Sequence, residues 1–197
     1  MRAPQTNGSP AIRLNQTGSR LMMAVIRDGA LWTCHHVGLS GTNGSYSGNA
    51  TGTNVDRSAV QWLKLTTDTN GNFLSVTNGR VFDRSGTNPC WYYFPSLMVN
   101  AKGDMAMGFS GSQSNGYNGA FSSYRTAAGA MPNTPFLIQA GKGPFEANKW
   151  GDYSNTSLDP CDNLTMSTVQ QYAEDLTLNE NKWGTWISEL IFRSLNP

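Results

Sequence analysis

The chain has 197 residues, of which 38% are hydrophobic and only 14% are charged, a composition typical of one globular domain rich in turns and strands. Its 14 basic and 13 acidic side chains leave a net charge of +1, which excludes the strongly basic surface that nucleic acid or an anionic membrane would require. No apolar run of about 18 residues occurs, and the start "MRAPQTNGSP" lacks the apolar stretch of a secretory signal. We therefore expect neither a nucleic-acid partner nor a membrane span.

Apolar residues fall in short alternating runs that end at Gly, Asn, Asp or Pro, a pattern that indicates strands and hairpins. Three hairpins follow in chain order: "LMMAVIRDGALWTCHHV" turning at Asp28-Gly29, "PSLMVNAKGDMAMGFS" turning at Lys102-Gly103, and "TSLDPCDNLTMSTVQQYA" turning at 159–163. Measured between Gly29, Gly103 and Asp162, the turns lie 74 and 59 residues apart. This spacing predicts an internal repeat.

Each hairpin is followed by a third strand ("SAVQWLKLTT", "GAFSSYRTA", "KWGTWISELIF"), and the first two also by a fourth ("NFLSVTNGRVF", "TPFLIQAGKG"). Four antiparallel strands in about 40–60 residues are the pattern of a β-propeller blade. The sequence thus predicts an all-β chain with an N-terminal segment at 1–14 and one propeller-like domain at 15–197. Its blades, about three four-stranded antiparallel sheets, would occupy approximately 15–85, 90–145 and 149–192.

Closed propellers contain about four to eight blades, so three blades alone would leave apolar sheet faces uncovered and strand edges unpaired. We expect the chain either to be part of a six- or seven-bladed propeller in a longer protein, or to close by forming a homo-oligomer. The loop "SGTNGSYSGNATGTN" in the first blade reads as a flexible insertion or as a binding loop.

Five segments, "RLMMAVIRDGALWTCHHV", "SAVQWLKL", "YYFPSLMVNAKGDMAMGFSGS", "NKWGDYSNTSLDP" and "QQYAEDLTLNENKWGTWI", resemble the C-terminal half of exported bacterial proteins of the sialidase-like (BNR-repeat-like) β-propeller family. The resemblance covers about residues 15 to 192 and lies in the order of the motifs WGDYS, DP and WGTWI. It implies a propeller fold and a secreted or extracellular location. It implies little about a reaction, because propellers host many functions.

The sequence departs from the family at two points that matter for catalysis. The Asp-box of sialidases would place Asp two residues before the turn glycine, where this chain has Arg27 and Ala101. A catalytic sialidase also needs three arginines, a Tyr-Glu nucleophile pair and an acidic proton donor. Only Arg125 lies on a predicted strand beside a tyrosine, Tyr124.

The stretch "KWGDYSNTSLDPCDN" carries most of the candidate site residues. By the repeat, Trp150 to Leu158 is the innermost strand of the third blade and corresponds to "YYFPSLMV" in the second. Either Trp150 packs between blades while Asp152 bonds to backbone amides, or Asp152 and Tyr153 line a central channel. The candidate ligand-binding residues are Trp150, Asp152, Tyr153, Tyr93 and Arg125, and the candidate catalytic residues are Asp152, Tyr153 and Arg125.

Metal and thiol chemistry have few candidates. The oxygens of Asp159, Asp162 and Asn163 suit a calcium ion, but the same residues also suit a tight turn, and otherwise no cofactor is predicted. The adjacent pair His35 and His36 faces opposite sides of a strand, which argues against zinc. Three cysteines, Cys34, Cys90 and Cys161, allow at most one internal disulfide and require none.

Two functions of different classes remain open. The first is a secreted module that binds a glycan or other polymer through exposed Trp, Tyr and Asn side chains at the channel mouth. The alternative is a glycoside hydrolase of sialidase-like architecture, with part of its site on missing blades or a partner chain. For the hydrolase, Glu174 with Asp175, or Glu146, would serve as a carboxylate pair only if folding brought two carboxyls within about 5 to 10 Å.

Overall fold

The computed structural model describes residues 1–6, 10–14, 20–46, 54–132, 134–147, 149–151, 154–175 and 182–192. All regular structure in these residues is β-strand, which confirms the all-β prediction, and none of them forms a helix that could cross a membrane. The strands are β1 (Arg2–Ala3), β2 (Ile12–Arg13), β3 (Met23–Arg27), β4 (Ala30–Ser40), β5 (Ser45–Tyr46), β6 (Arg57–Thr67), β7 (Phe73–Val81), β8 (Trp91–Val99), β9 (Met105–Gln113), β10 (Gly116–Arg125), β11 (Phe136–Gln139), β12 (Asn155–Leu158), β13 (Met166–Ala173) and β14 (Trp183–Leu190).

These strands form four antiparallel sheets, none of which closes on itself within the described residues. Strands β1 and β2 make an N-terminal hairpin. The first sheet has the order β3-β4-β6-β7 with β5 beside the end of β4, the middle sheet β8-β9-β10-β11, and the third sheet β12-β13-β14. Each of the three larger sheets is a meander in which strands pair with their neighbours along the chain. The prediction of three antiparallel sheets with "WGTWISEL" as the last strand is confirmed, but the predicted four strands are found only in the middle sheet, since the first sheet has five strands and the third has three.

The predicted turns owe their shape to residues that tolerate a positive φ. Asp28 (φ 49°) and Gly29 (φ 68°) both adopt it, as the two central residues of a tight hairpin turn of this kind must. Gly103 (φ 82°) and Asn163 (φ 56°) do the same in the turns that join β8 to β9 and β12 to β13.

The middle sheet packs between the other two. On one side β8 lies against β4 and β6, and on the other side β8 and β9 lie against β12 and β13. Side chains alternate along each strand, so the two faces of the middle sheet can differ in chemistry. Its face toward the first sheet is apolar and joins a core cluster that includes Trp32, Trp62, Leu97, Met107 and Phe109. Burying such side chains stabilises the fold by about 1.5–3 kcal/mol each.

The face of the middle sheet toward the third sheet is instead built from small polar residues. The hydroxyls of Ser96 and Thr156 lie 2.7 Å apart, and those of Thr156 and Thr168 lie 3.0 Å apart. Gly108 has no side chain at the point of closest approach, where an added Cβ would collide with Thr168 and Gln170. This interface depends on close backbone approach and on buried hydrogen bonds.

Residues 1–6 and 10–14, the described part of the segment that the sequence sets apart, pack into the core. Ala3, Ile12 and Leu14 are fully buried and join a cluster with Tyr93 and Trp150. The amide of Gln5 pairs with the backbone of Phe145: its Nε2 donates to the carbonyl oxygen at 2.9 Å and its Oε1 accepts from the N–H at 3.1 Å. The N-terminal hairpin therefore packs on the cluster that contains Tyr93 and Trp150.

Candidate functional site

Trp150 is a packing residue in this structure. Its side chain is 1% exposed, and its ring meets that of Phe145 edge-on at 4.8 Å between centroids. The indole Nε1 donates a hydrogen bond to Ser110 Oγ at 3.0 Å. The prediction that Trp150 packs between sheets is confirmed. Asp152 and Tyr153, the other candidates of this motif, lie outside the described residues.

Tyr93 lies in the same apolar cluster as Trp150 and is fully buried. Its hydroxyl donates to Asn118 Oδ1 and lies 3.1 Å from Ser112 Oγ. Burial raises the pKa of Tyr93, so the phenol stays neutral. The structure therefore brings two of the predicted site residues together, but it encloses both rings in the core.

The strand that carries Tyr93 is distorted immediately after it. Phe94 has a positive φ of 52°, and the pairing of β8 with β9 shifts register between Tyr93 and Ser96. A positive φ is unfavourable for a bulky residue, and the surrounding contacts must hold it. One of them is a hydrogen bond of 3.2 Å from Ser154 Oγ to the Phe94 carbonyl oxygen.

Arg125 does not join Trp150 and Tyr93. Its guanidinium lies over the ring of Trp62 at 5.1 Å from the centroid, and its NH1 group donates to the Thr126 carbonyl oxygen at 3.2 Å. Trp62 belongs to the apolar cluster between the first and middle sheets, whereas Trp150 and Tyr93 belong to the cluster under the N-terminal hairpin. The contacts of Arg125 are those of a cation that stacks on an aromatic ring at a sheet interface.

The 159–163 segment forms a turn whose carboxylates bind backbone amides. Asp159 Oδ1 accepts from the N–H of Cys161 at 2.8 Å, and Asp162 Oδ1 accepts from the N–H groups of Leu164 and Thr165 at 2.7 and 2.9 Å. Thr165 Oγ1 donates to Asp162 Oδ2 at 2.6 Å, and this bond, with those from the backbone, lowers the pKa of Asp162. Asn163 adopts the positive φ of the turn, and its Oδ1 accepts from Arg27 at 3.3 Å.

These contacts favour the turn interpretation of Asp159, Asp162 and Asn163. Across the described part of the chain, no group of three or more His, Cys, Asp or Glu side chains could hold a metal ion. The thiols of Cys34, Cys90 and Cys161 are all free. Burial raises the pKa values of Cys34 and Cys90 to about 12, which keeps both thiols protonated and unreactive.

A groove, which we call the outer groove, opens between β10–β11 of the middle sheet and β14 of the third. Its volume is about 830 Å³, within the range of about 300–1,000 Å³ that is common for ligand sites. Its lining is mostly apolar and includes Lys102, Asp104, Ser122, Tyr124, Thr126, Phe136, Ile138, Ser188, Leu190, Ile191 and Phe192.

Three aromatic rings shape the outer groove. Tyr124 and Phe136 are nearly parallel, with centroids 6.1 Å apart and planes 10° from each other. Phe192 meets Tyr124 edge-on at 5.7 Å, and Phe136 is 51% exposed. The sequence singles out Tyr124 only as the neighbour of Arg125. The sequence does not single out Phe136 and Phe192, because they reach Tyr124 from β11 and from the residues after β14, a proximity that alternation within one strand cannot predict.

A second polar cluster joins the segment after β11 to the third sheet. Lys142 Nζ lies 2.7 Å from Glu174 Oε1, and the Tyr172 hydroxyl donates to Glu174 Oε2 at 2.6 Å. The ammonium and the phenol together lower the pKa of Glu174 to about 2, and Glu174 in turn raises the pKa of Tyr172. Glu174 is thus a carboxylate held ionised by its neighbours, unlike the raised-pKa acid that glycoside hydrolysis requires.

Comparison of the chain with protein-family models, curated proteins and solved structures found no match. The function must therefore be argued from the residues and their geometry.

Proposed function

We propose that the chain is a set of consecutive blades of a sialidase-like β-propeller, exported from the cell, that binds a glycan or other polymer. Three meander sheets stacked face to face in chain order support the propeller assignment. The described residues of the motifs that resemble the family lie on these sheets and their connections, and the low charge suits a neutral or weakly charged ligand.

The observation that carries the binding function is the pair of nearly parallel rings, Tyr124 and Phe136, in the open outer groove. Aromatic faces offer a flat apolar surface with a negative quadrupole, on which the C–H face of a pyranose can pack. Lys102 is exposed at the rim, and Ser122 and Ser188 add hydroxyls to the lining. An aromatic floor with a few polar groups at its edge is a common design for ligand sites.

The test is affinity gel electrophoresis against a panel of soluble neutral and acidic polysaccharides. We expect at least one polysaccharide to retard the wild-type chain. Phe136→Ala should weaken the affinity measured from that retardation by about tenfold or more, as the loss of an aromatic anchor does. Phe73→Ala is the matched control, because Phe73 is also exposed (62%) but lies on β7, away from the groove. Equal effects of the two variants, or no retardation with any polysaccharide, would contradict the proposal.

A glycoside hydrolase is the second candidate, and one observation favours it. The 2.6 Å hydrogen bond between Tyr172 and Glu174 is a tyrosine–carboxylate pair of the kind that a sialidase nucleophile needs. The test is release of a fluorophore from an aryl sialoside by the wild-type chain and by Tyr172→Phe. Activity that survives in Asp28→Asn, a change in the exposed turn between β3 and β4, and disappears in Tyr172→Phe would favour the enzyme over the binding module.

A further inference from the structure

Among the described residues, two sheet faces have no sheet packed on them, although the same face-to-face packing occurs twice between the three larger sheets. The middle sheet has a neighbour on both faces, the first sheet on one side and the third sheet on the other. The first sheet is left with an outer face that points away from the middle sheet, and so is the third. The residues on these outer faces can be read from the strand pairing, because directly opposed residues of an antiparallel pair share a face.

The outer face of the first sheet carries a continuous apolar row. Ile26 lies opposite Leu31, Leu31 opposite Leu65, and Leu65 opposite Val76, so the row crosses all four strands. The next row, which starts at Val25 and Trp32, belongs to the face that packs on the middle sheet. Ile26 is 79% exposed and Val76 48% exposed, so the ends of the row are open to solvent.

The outer face of the third sheet is similar. Val169 lies opposite Ile187 on this face. Trp183 lies on it as well, although its partner Ala173 is fully buried in the cluster that contains Trp150. Thr168 and Gln170, which alternate with Val169, are buried against the middle sheet, so Val169 and its partners face the other way. Ile187 is 68% exposed and Trp183 58% exposed. Ile187 and Trp183, on either side of Thr185 along β14, thus place exposed apolar side chains on one sheet face, as an interaction surface does.

The two outer faces are complementary in position rather than identical. Within the described residues, the uncovered face of the first sheet is the one before it in the stack, and that of the third sheet is the one after it. Their charges also differ in sign: Arg80 shares the outer face of the first sheet, and Glu189 shares that of the third. A second copy of this chain offers a third sheet to cover the outer face of the first sheet, and a first sheet to cover the outer face of the third. An unrelated partner would need two separate blade-like surfaces to cover both.

We infer that two copies of this chain pack together, the outer face of the third sheet of each against the outer face of the first sheet of the other. This arrangement repeats between chains the sheet packing seen within one chain. It satisfies both outer faces of both copies at once, as a closed two-fold assembly does. The inference rests on the stacked sheets and not on ligand binding in the outer groove.

Light scattering on the wild-type chain should give twice the chain mass of 21.4 kDa. Ile26→Lys alters the first outer face and Ile187→Glu the third, and each variant alone should be a monomer because a buried unpaired charge is costly. An equimolar mixture of the two variants should regain the dimer mass. In the mixed dimer one interface brings Lys and Glu onto facing surfaces, and the other interface is unchanged.

The matched control is Leu137→Lys. Leu137 is 56% exposed on β11 of the middle sheet, away from both outer faces, so this variant should keep the dimer mass. A wild-type monomer would overturn the inference, as would a mass that grows without limit with concentration. Loss of the dimer in only one of the two single variants would indicate a contact between like faces and would overturn it too. Far-UV circular dichroism must show that each variant keeps its strands.

Discussion

The indole Nε1 of Trp150 donates a hydrogen bond to Ser110 Oγ at 3.0 Å, and both residues are buried. This bond ties the segment before β12 to the centre of the middle sheet, at a point where the N-terminal hairpin also packs. One side chain thus joins three parts of the chain that are distant in sequence.

Replacing Trp150 by Ala should lower the free energy of unfolding by about 3–5 kcal/mol, the cost of emptying a large buried site. Trp150→Phe should cost less, since it keeps most of the packing and loses mainly the hydrogen bond to Ser110, a loss of about 1–3 kcal/mol. Urea unfolding followed by circular dichroism measures both. Phe73→Leu is the control, because Phe73 is 62% exposed on β7 and its replacement should leave the free energy of unfolding within about 0.5 kcal/mol of wild type.

His36 should make the fold sensitive to acid. Burial lowers its pKa from 6.5 to about 4, although the Leu14 carbonyl oxygen lies 3.1 Å from Nε2, and Nδ1 has no hydrogen-bond partner among the described residues. The folded chain therefore holds a neutral imidazole, while the unfolded chain binds a proton below about pH 6.5. Its contribution to stability is complete above pH 6.5 and is lost as the pH falls toward 4.

Between pH 7.5 and pH 4.5 this single group should remove on the order of 2–3 kcal/mol of unfolding free energy. His36→Gln, which cannot gain a charge, should lose correspondingly less over the same interval, although it starts from a lower stability. His35→Gln retains His36 and should keep the full dependence. Parallel pH profiles for all three proteins, measured by urea unfolding, would show that His36 is not the acid-sensitive group.

The larger sheets are predictable from the sequence because their hairpin turns carry unambiguous local signals. Asp28-Gly29 and Gly103 supply the positive φ that a tight turn needs, and alternating apolar residues lead into and out of each turn. The N-terminal hairpin escapes prediction because its strands have only two residues each. No alternation can be recognised over that length.

The candidate site is less predictable because contacts between strands decide it. The sequence allows Trp150 to be interpreted as a packing residue, and Trp150 is buried. The sequence also groups Arg125 with Trp150 and Tyr93, whereas in the fold the Arg125 guanidinium stacks over the ring of Trp62 in the first sheet. Which of two similar sheet faces receives a given side chain depends on the stacking of the sheets. Local pattern carries no information about that choice.

Gly108 should be the least replaceable glycine of the interface between the middle and third sheets. A Cβ at this position would overlap Thr168 Oγ1 and Gln170 Nε2, two buried groups that hydrogen-bond to each other at 2.7 Å. Gly108→Ala should therefore cost about 1–3 kcal/mol or more of unfolding free energy through overpacking. In Gly86→Ala the nearest atom to the new Cβ is 3.9 Å away, on Thr42, so this control should remain within about 0.5 kcal/mol of wild type. A Gly108 variant as stable as the control would mean that the two sheets are not packed as described.

Substitutions at Asp162 test whether the 159–163 segment is only a tight turn or also a calcium site. If its carboxylate serves the turn, Asp162→Ala should lower the thermal midpoint, because the N–H groups of Leu164 and Thr165 lose their acceptor. Asp162→Asn should lower it less, since the amide oxygen can replace Oδ1. Calcium chloride or a chelator should leave the midpoints of all these proteins unchanged, and Asp175→Ala, at another exposed position, should behave as wild type. A calcium-dependent rise in the wild-type midpoint that Asp162→Ala abolishes would instead establish the 159–163 segment as a calcium site, since an ion that binds only the folded chain must stabilise it.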